Sequence, residues 1–117
     1  MSKEFIPYEQ ASELKELGFD EPCFGYYTGD KKHLLIRPNM GRRNEDLNDI
    51  VCTAPLYQQA FRWFREKCNI FSSVDVNYCY KIYVNDEFFE ESINYNSHEE
   101  AEFECLKKLI EIIKEQK

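Results

Sequence analysis

The segment 54–69, APLYQQAFRWFREKCN, constrains this fold most, because its apolar residues are spaced for one amphipathic helix over Pro55–Asn69. At about 100° per residue, one arc of this helix is apolar and collects Leu56, Tyr57, Ala60, Phe61, Trp63, Phe64 and Cys68. The opposite side carries Gln58, Gln59, Arg62, Arg65 and Glu66. An aromatic face of this kind has to pack against another element, most simply a sheet, so the segment predicts a folded globular domain.

Two further helices are predicted towards the ends of the sequence. The first covers Pro7–Leu17, because proline suits the first helical position, where its missing N–H would have no partner. Gly18 suits the left-handed position after a helix, and Phe19 then follows as the hydrophobic residue of a Schellman-type stop. The last helix covers Ser97–Glu115, because Ser97 and Glu100 have the spacing of a capping box.

The remaining apolar patterns predict two β-hairpins. The first joins Cys23–Tyr27 to His33–Arg37 through a polar turn. In the second, the alternation within Ser73–Val84 predicts a single strand, since a period of two is sustained over about eleven residues. A turn at Asn85–Glu87 then leads into a more acidic strand at Phe88–Tyr95.

The order of these elements predicts an α+β fold, in one domain over residues 1–117. We expect an antiparallel sheet of about four strands covered by three helices, in the order αββαββα. The polar stretch 39–53 is expected to be the least structured part. Within it, residues 46–51 are interpreted as either a short helical turn or an edge strand.

Charge and hydropathy limit the classes of partner. The net charge of −7 argues against general binding to nucleic acid or to an anionic membrane. No apolar run approaches the roughly 20 residues that a membrane span needs. The N-terminal residues lack the apolar region of a signal peptide. These features predict a cytoplasmic protein with no membrane partner, and they argue against nucleic acid as a ligand.

No motif in the sequence indicates an enzyme, a cofactor or a metal site. The five cysteines are widely spaced without a CxxC pair, and His33 and His98 supply too few further ligands for a zinc site. Cys52 precedes a predicted helix, whose dipole would favour a thiolate, but it lacks the flanking signature of a nucleophile. GxSxG, P-loop and GxGxxG patterns do not occur. We therefore expect no catalytic residues, no cofactor and no metal.

Binding residues are predicted on two grounds. Gly41, Arg42 and Arg43 lie in a basic loop, and arginine forks suit phosphate or carboxylate groups. The alternative interpretation is that this loop only neutralises the domain's own acids. Tyrosine and arginine are also the residues that dominate protein interfaces. The candidate partner-binding residues are Arg42, Arg43, Arg62, Arg65, Tyr27 and Tyr83.

Three blocks of the sequence resemble a group of small uncharacterised proteins of Bacteroidota phages and prophages. They are FIPYEQASELKELGFDEPCFGYY at 5–27, CTAPLYQQAFRWFREK at 52–67 and EEAEFECLKKLIEIIK at 99–114, with Ser12, Phe103 and Glu104 not contributing to the resemblance. The resemblance covers about half of the chain and leaves out residues 39–50, Cys68 and Cys79. It implies a phage accessory protein that works in the bacterial cytoplasm, and it implies no catalytic residue or substrate.

The sequence therefore favours a small, non-enzymatic accessory protein that binds an unidentified partner protein of the host. One alternative is a binder of a small anionic or phosphorylated ligand, held by Arg42 and Arg43. Another is a homo-oligomeric structural protein, in the simplest case a homodimer. A ligand binder should show a concave pocket with convergent polar groups, whereas a partner-binding protein should show an exposed aromatic patch.

Overall fold

The computed structural model describes residues 4–28, 34–36 and 50–116. Within these residues it contains three helices and six strands, so the predicted α+β class is confirmed. The elements are α1 (Tyr8–Glu16), β1 (Gly25–Thr28), β2 (Leu34–Ile36), β3 (Ile50–Ala54), α2 (Tyr57–Cys68), β4 (Ile70–Val74), β5 (Tyr80–Val84), β6 (Glu87–Glu91) and α3 (His98–Gln116). They fall into two compact units, Met1–Tyr57 and Gln58–Lys117.

The first unit is built on a three-stranded antiparallel sheet in the order β2-β1-β3. The central strand β1 places Tyr26 opposite Leu35 on one side and opposite Thr53 on the other. Helix α1 packs against β3, and an isolated bridge between Phe5 and Leu56 extends the pairing. The buried side chains of this unit include Phe5, Ile6, Leu14, Phe19, Cys23, Tyr26, Tyr27 and Cys52.

The end of α1 confirms the stop that the sequence predicts. Gly18 has φ +100°, the left-handed conformation that glycine adopts without a steric penalty. The Phe19 N–H donates to the Leu14 carbonyl (2.9 Å) and the Gly18 N–H to the Lys15 carbonyl (3.1 Å). These are the two bonds of a Schellman motif. The Phe19 side chain is buried, so the motif also contributes to the core.

The prediction of about four strands in one sheet, in the order αββαββα, was wrong, because the described residues form six strands in two sheets, with three strands between successive helices. In the first sheet, the strand that was not foreseen is β3. Residues 50–54 pair with β1 in antiparallel register, with Tyr27 opposite Cys52 and Gly25 opposite Ala54. This strand was not predicted from the sequence, because residues 39–53 form a polar stretch and the next helix is predicted to begin at Pro55. Strand β3 lies at the edge of its sheet, which agrees with the edge-strand interpretation of residues 46–51 for Ile50 and Val51. Residues 39–49 lie outside the described residues.

The second unit contains another three-stranded antiparallel sheet, in the order β4-β5-β6. Helix α3 packs against β4 and β5. The strands contribute Ile70, Tyr80 and Ile82 as buried residues. The buried residues of α3 follow the apolar side predicted from the sequence and comprise Ala101, Cys105, Leu106, Leu109, Ile110, Ile112 and Ile113.

The single strand predicted over Ser73–Val84 was wrong, because the chain reverses in its middle. The Tyr78 N–H donates to the Asp75 carbonyl (3.0 Å), and the Asp75 N–H donates to the Cys79 carbonyl (2.8 Å). Tyr78 has φ +61°, and Val76 lies almost fully exposed at the tip of the turn. Aspartate and asparagine favour such turns, yet the apolar alternation continues through them and conceals the reversal.

The predicted turn between β5 and β6 is confirmed. Asn85 and Asp86 have φ values of +51° and +71°. Two consecutive positive φ values are those of the type I′ turn that joins twisted antiparallel strands. A bulge follows in β6, because Tyr83 lies opposite Phe88 whereas Ile82 lies opposite Glu90. The bulge leaves Phe89 as the extra residue.

Helices α2 and α3 form where the sequence predicts them. The aromatic arc of α2 is buried at Tyr57, Phe61, Trp63 and Phe64, and Trp63 and Phe64 meet edge to face with ring centroids 5.1 Å apart. At the start of α3, the Ser97 hydroxyl accepts a hydrogen bond from the Glu100 N–H (3.1 Å), as expected for the predicted cap.

Candidate binding surface on the second sheet

The two faces of the β4-β5-β6 sheet have different environments. Successive residues of a strand point to opposite faces, so Ile70 and Ile82 share the face that packs against α3. Phe71 and Tyr83 then share the other face. Ile70 and Ile82 are fully buried, whereas Phe71 and Tyr83 are exposed. We call the second face the outer face.

Three aromatic rings form a row across the outer face. The register places Phe71 opposite Tyr83 and Tyr83 opposite Phe88, one residue from each strand. Tyr83 and Phe88 meet edge to face with ring centroids 5.7 Å apart. Phe71, Tyr83 and Phe88 nevertheless leave 43%, 38% and 58% of their surfaces exposed. We call these three residues the aromatic row.

Acidic residues lie around one end of the aromatic row. Asp86 is exposed at the turn that precedes Phe88, and Glu91 is exposed at the end of β6. Glu91 lies opposite Lys81 on the outer face. The surface around the row therefore carries more negative than positive charges, because Lys81 is the single cationic residue of β4, β5 and β6.

A polar cleft of about 190 Å³ lies beside β4 in the same unit. Its lining residues are Gln58, Phe61 and Arg65 of α2, Ser72, Ser73 and Val74 of β4, and His98 and Glu102 of α3. Glu102 accepts a hydrogen bond from Gln58 Nε2 (2.9 Å), and His98 Nε2 lies 3.5 Å from the same carboxylate oxygen. Within the described residues, Arg65 has no hydrogen bond or ion pair.

The residues that the sequence singled out lie in different places. Tyr83 belongs to the aromatic row, and Arg65 lines the cleft. Arg62 lies on the exposed side of α2, 3.8 Å from Glu66. Tyr27 is buried in the first unit, where its hydroxyl donates to the Ile6 carbonyl (2.8 Å). Arg42 and Arg43 lie outside the described residues.

The structure does not gather the predicted residues into one site, and it adds Phe71 and Phe88, which the sequence analysis did not select. The signal that identifies them is the pairing register, which follows once the turns at Asp75–Tyr78 and Asn85–Asp86 are recognised. Asp and Asn residues occur at both turns, and these residue types favour turns. The bulge at Phe89, which brings Glu90 opposite Ile82 and Glu91 opposite Lys81, has no comparable sequence signal.

Asp75, Cys79 and Glu91 form a cluster whose potential ligand atoms lie within 4.8 Å of one another. The Cys79 thiol donates towards Asp75 Oδ2 at 3.5 Å. Burial raises the pKa of this thiol, and the hydrogen bond and charge of Asp75 raise it further, so the thiol stays protonated at neutral pH. Lys81 Nζ lies 3.6 Å from the same Asp75 oxygen and already supplies a cation to the cluster.

Two buried thiols are held in their protonated form. Cys52 lies within β3 instead of directly before a helix, and burial raises its pKa to about 11. Cys105 lies on the buried side of α3, and burial raises its pKa to about 12, although a hydrogen bond with Ser72 acts in the opposite direction. The thiolate is the reactive form of cysteine, so neither residue is poised as a nucleophile.

We expect Cys52 and Cys105 to resist alkylation in the folded protein. A pKa raised by two units or more lowers the thiolate fraction at pH 8 by roughly 100-fold, and burial further restricts access. Iodoacetamide labelling followed by peptide mass spectrometry should therefore modify both residues at least ~100-fold more slowly in buffer than in 8 M urea. Similar rates in the two conditions would contradict the burial described here.

Comparison with protein-family models, with curated proteins and with solved structures found no match. Among the described residues, no helix combines the length and the apolar character needed to cross a membrane.

Proposed function

We propose that this protein is a non-enzymatic binding module that recognises a partner protein through the outer face of its second sheet. The aromatic row carries the proposal, because three rings from three strands are aligned on one face and remain half-exposed. Tyrosine and other aromatic rings supply much of the binding energy at protein interfaces. A solitary exposed ring would need no explanation, whereas an aligned row on one sheet face is typical of a docking surface.

The size of the row suits the centre of an interface. Covering the exposed parts of three rings removes on the order of 300 Å² of apolar surface from water. A stable interface buries about 800 Å² per partner. The aromatic row would therefore form the apolar centre, and the surrounding polar residues would form the rim.

The charge around the row indicates the chemistry of the partner. Asp86 and Glu91 give this region an acidic excess, and the whole chain carries a net charge of −7. Opposite charges across an interface accelerate association and disfavour wrong partners. The partner that fits is a protein with an apolar patch rimmed by lysine and arginine. A second copy of this chain would bring acidic rims together, which makes self-association through this face the less favourable pairing.

The resemblance to proteins of Bacteroidota phages and prophages suggests where this binding takes place. An accessory protein of this group would meet its partner in the bacterial cytoplasm, and that partner would be a host protein. The mechanism is occlusion, in which the docked aromatic face covers a surface that the host protein uses for another contact.

The test is a comparison of tagged wild-type protein with a Tyr83→Ser, Phe88→Ser double variant in Bacteroidota lysate. We expect the wild type to retain one stoichiometric basic protein that the double variant loses. The matched control is Phe24→Ser, which removes an exposed phenylalanine of the first unit. Capture that is equal for all three proteins would overturn the proposal. Light scattering that shows a wild-type dimer and a monomeric double variant would also overturn it, in favour of a second copy as the occupant.

A further inference from the structure

We propose that the polar cleft beside β4 binds an extended peptide segment, which adds to the β4 edge of the sheet, unpaired among the described strands, and places a carboxylate against Arg65. This site lies at the edge of the sheet and uses none of the aromatic row. It is therefore independent of the outer face as a docking surface, and the two proposals can fail separately.

The backbone hydrogen bonds show which groups of β4 point away from the sheet. The Asn85 N–H donates to the Asn69 carbonyl, and the Asp75 N–H donates to the Cys79 carbonyl. Hydrogen-bonded pairs alternate along an antiparallel ladder, so Phe71 and Ser73 direct their backbone groups towards β5. Ser72 and Val74 consequently direct theirs away from β5, and both residues line the cleft.

The two edges of this sheet are protected differently. The β6 edge carries Glu87, Glu90 and Glu91 and is interrupted by the bulge at Phe89. Charges and bulges are the usual means of preventing an edge from pairing with another strand. The β4 edge, IFSSV, has neither a charge nor a proline nor a bulge in its pairing with β5. This edge therefore retains the ability to accept a further strand.

The charges in the cleft specify what the strand should carry. Arg65 is half-buried and has no hydrogen bond or ion pair among the described residues. Its planar guanidinium offers donors in the geometry of a carboxylate. Glu102, the acidic residue of the cleft, already accepts from Gln58 and lies beside His98. An incoming carboxylate would thus pair with Arg65, which has no partner among the described residues, because Glu102 already interacts with Gln58 and His98.

Strand addition explains why the site should prefer a peptide to a small anion. The backbone groups of Ser72 and Val74 provide sequence-independent hydrogen bonds to an added strand, and a side-chain contact provides selectivity. Here the selective contact is the one between Arg65 and an aspartate or glutamate of the peptide.

The experiment is an NMR titration of the ¹⁵N-labelled full chain with acetyl-Thr-Val-Asp-Val-Thr-amide. We expect shifts in the Ser72 and Val74 amides and in the Arg65 Nε–H, and binding that is about tenfold tighter than that of the same peptide with asparagine in place of aspartate. Arg65→Gln should remove this preference. The matched control Arg62→Gln, one turn earlier on the exposed side of α2, should retain it.

Three outcomes would overturn the proposal. They are no shift at Ser72 and Val74, equal affinity for the aspartate and asparagine peptides, and equal affinity for sodium acetate, which would show that the strand backbone contributes nothing. The Tyr83→Ser, Phe88→Ser double variant should still bind the peptide. If this double variant still binds the peptide, the cleft is a separate site from the aromatic row, and each proposal can be rejected without the other.

Discussion

The Tyr83→Ser, Phe88→Ser double variant is expected to bind the captured partner at least ~100-fold more weakly than the wild type. Each ring at the centre of an interface contributes about 2 kcal/mol or more when it is removed, and the two rings are in direct contact. Their effects will not add fully, since residues in contact are energetically coupled. Isothermal titration calorimetry with the purified partner measures the loss.

Two controls distinguish lost recognition from lost folding. The midpoint of urea unfolding should change little in the double variant, because both side chains are on the outer face and exposed. Phe24→Ser should leave the affinity within about twofold of the wild type, as expected for a residue outside the interface. A double variant that unfolds normally and binds the partner with unchanged affinity would rule out the aromatic row as the docking surface.

The Ile82→Ala variant is expected to lower the free energy of unfolding by about 2–5 kcal/mol. Ile82 is fully buried on the face of β5 that packs against α3, so truncation removes apolar contacts and leaves a cavity. The next residue, Tyr83, points to the outer face and is the matched control. Tyr83→Ala should cost about 1 kcal/mol, as expected for the loss of two exposed cross-strand pairs, those with Phe71 and Phe88.

Urea unfolding at equilibrium measures both variants in the same conditions. The expected difference between neighbouring residues follows from the two-residue period of a strand, which places them on opposite faces. If Tyr83→Ala destabilises the protein as much as Ile82→Ala does, the outer face is covered in solution and cannot serve as a docking surface for a partner.

Features that depend on a few consecutive residues were predictable from the sequence. The Schellman stop at Gly18 and Phe19, the cap at Ser97 and the turn at Asn85–Asp86 each follow from local backbone chemistry. The buried arc of α2 also follows from a pattern contained within one helix.

Features that depend on pairing between distant residues were not predictable in the same way. Val74, Val76, Tyr78 and Tyr80 keep a period of two through a tight turn, so the apolar pattern cannot report that the chain reverses there. Strand β3 became evident from its pairing with β1, because the sequence alone placed residues 50–53 in a polar stretch.

The candidate site also combines residues that could be predicted from the sequence with residues that depend on strand pairing. Tyr83 and Arg65 were selected by residue type, and they lie on the exposed outer face and in the polar cleft, respectively. Phe71 and Phe88 join Tyr83 through the register of three strands, and this register is a property of the sheet as a whole. Tyr27 has the same residue type as Tyr83 but is buried, which shows that residue type alone does not distinguish core from surface.

Site-specific photocrosslinking tests the docking surface most directly. Phe88 is replaced by p-benzoylphenylalanine in the full chain, and Phe24, another exposed phenylalanine, is replaced in the same way as the control. Irradiation in living Bacteroidota cells should join position 88, but not position 24, to a single host protein that mass spectrometry can identify. A crosslink from position 24 alone, or none from either position, would contradict recognition of a partner through the outer face.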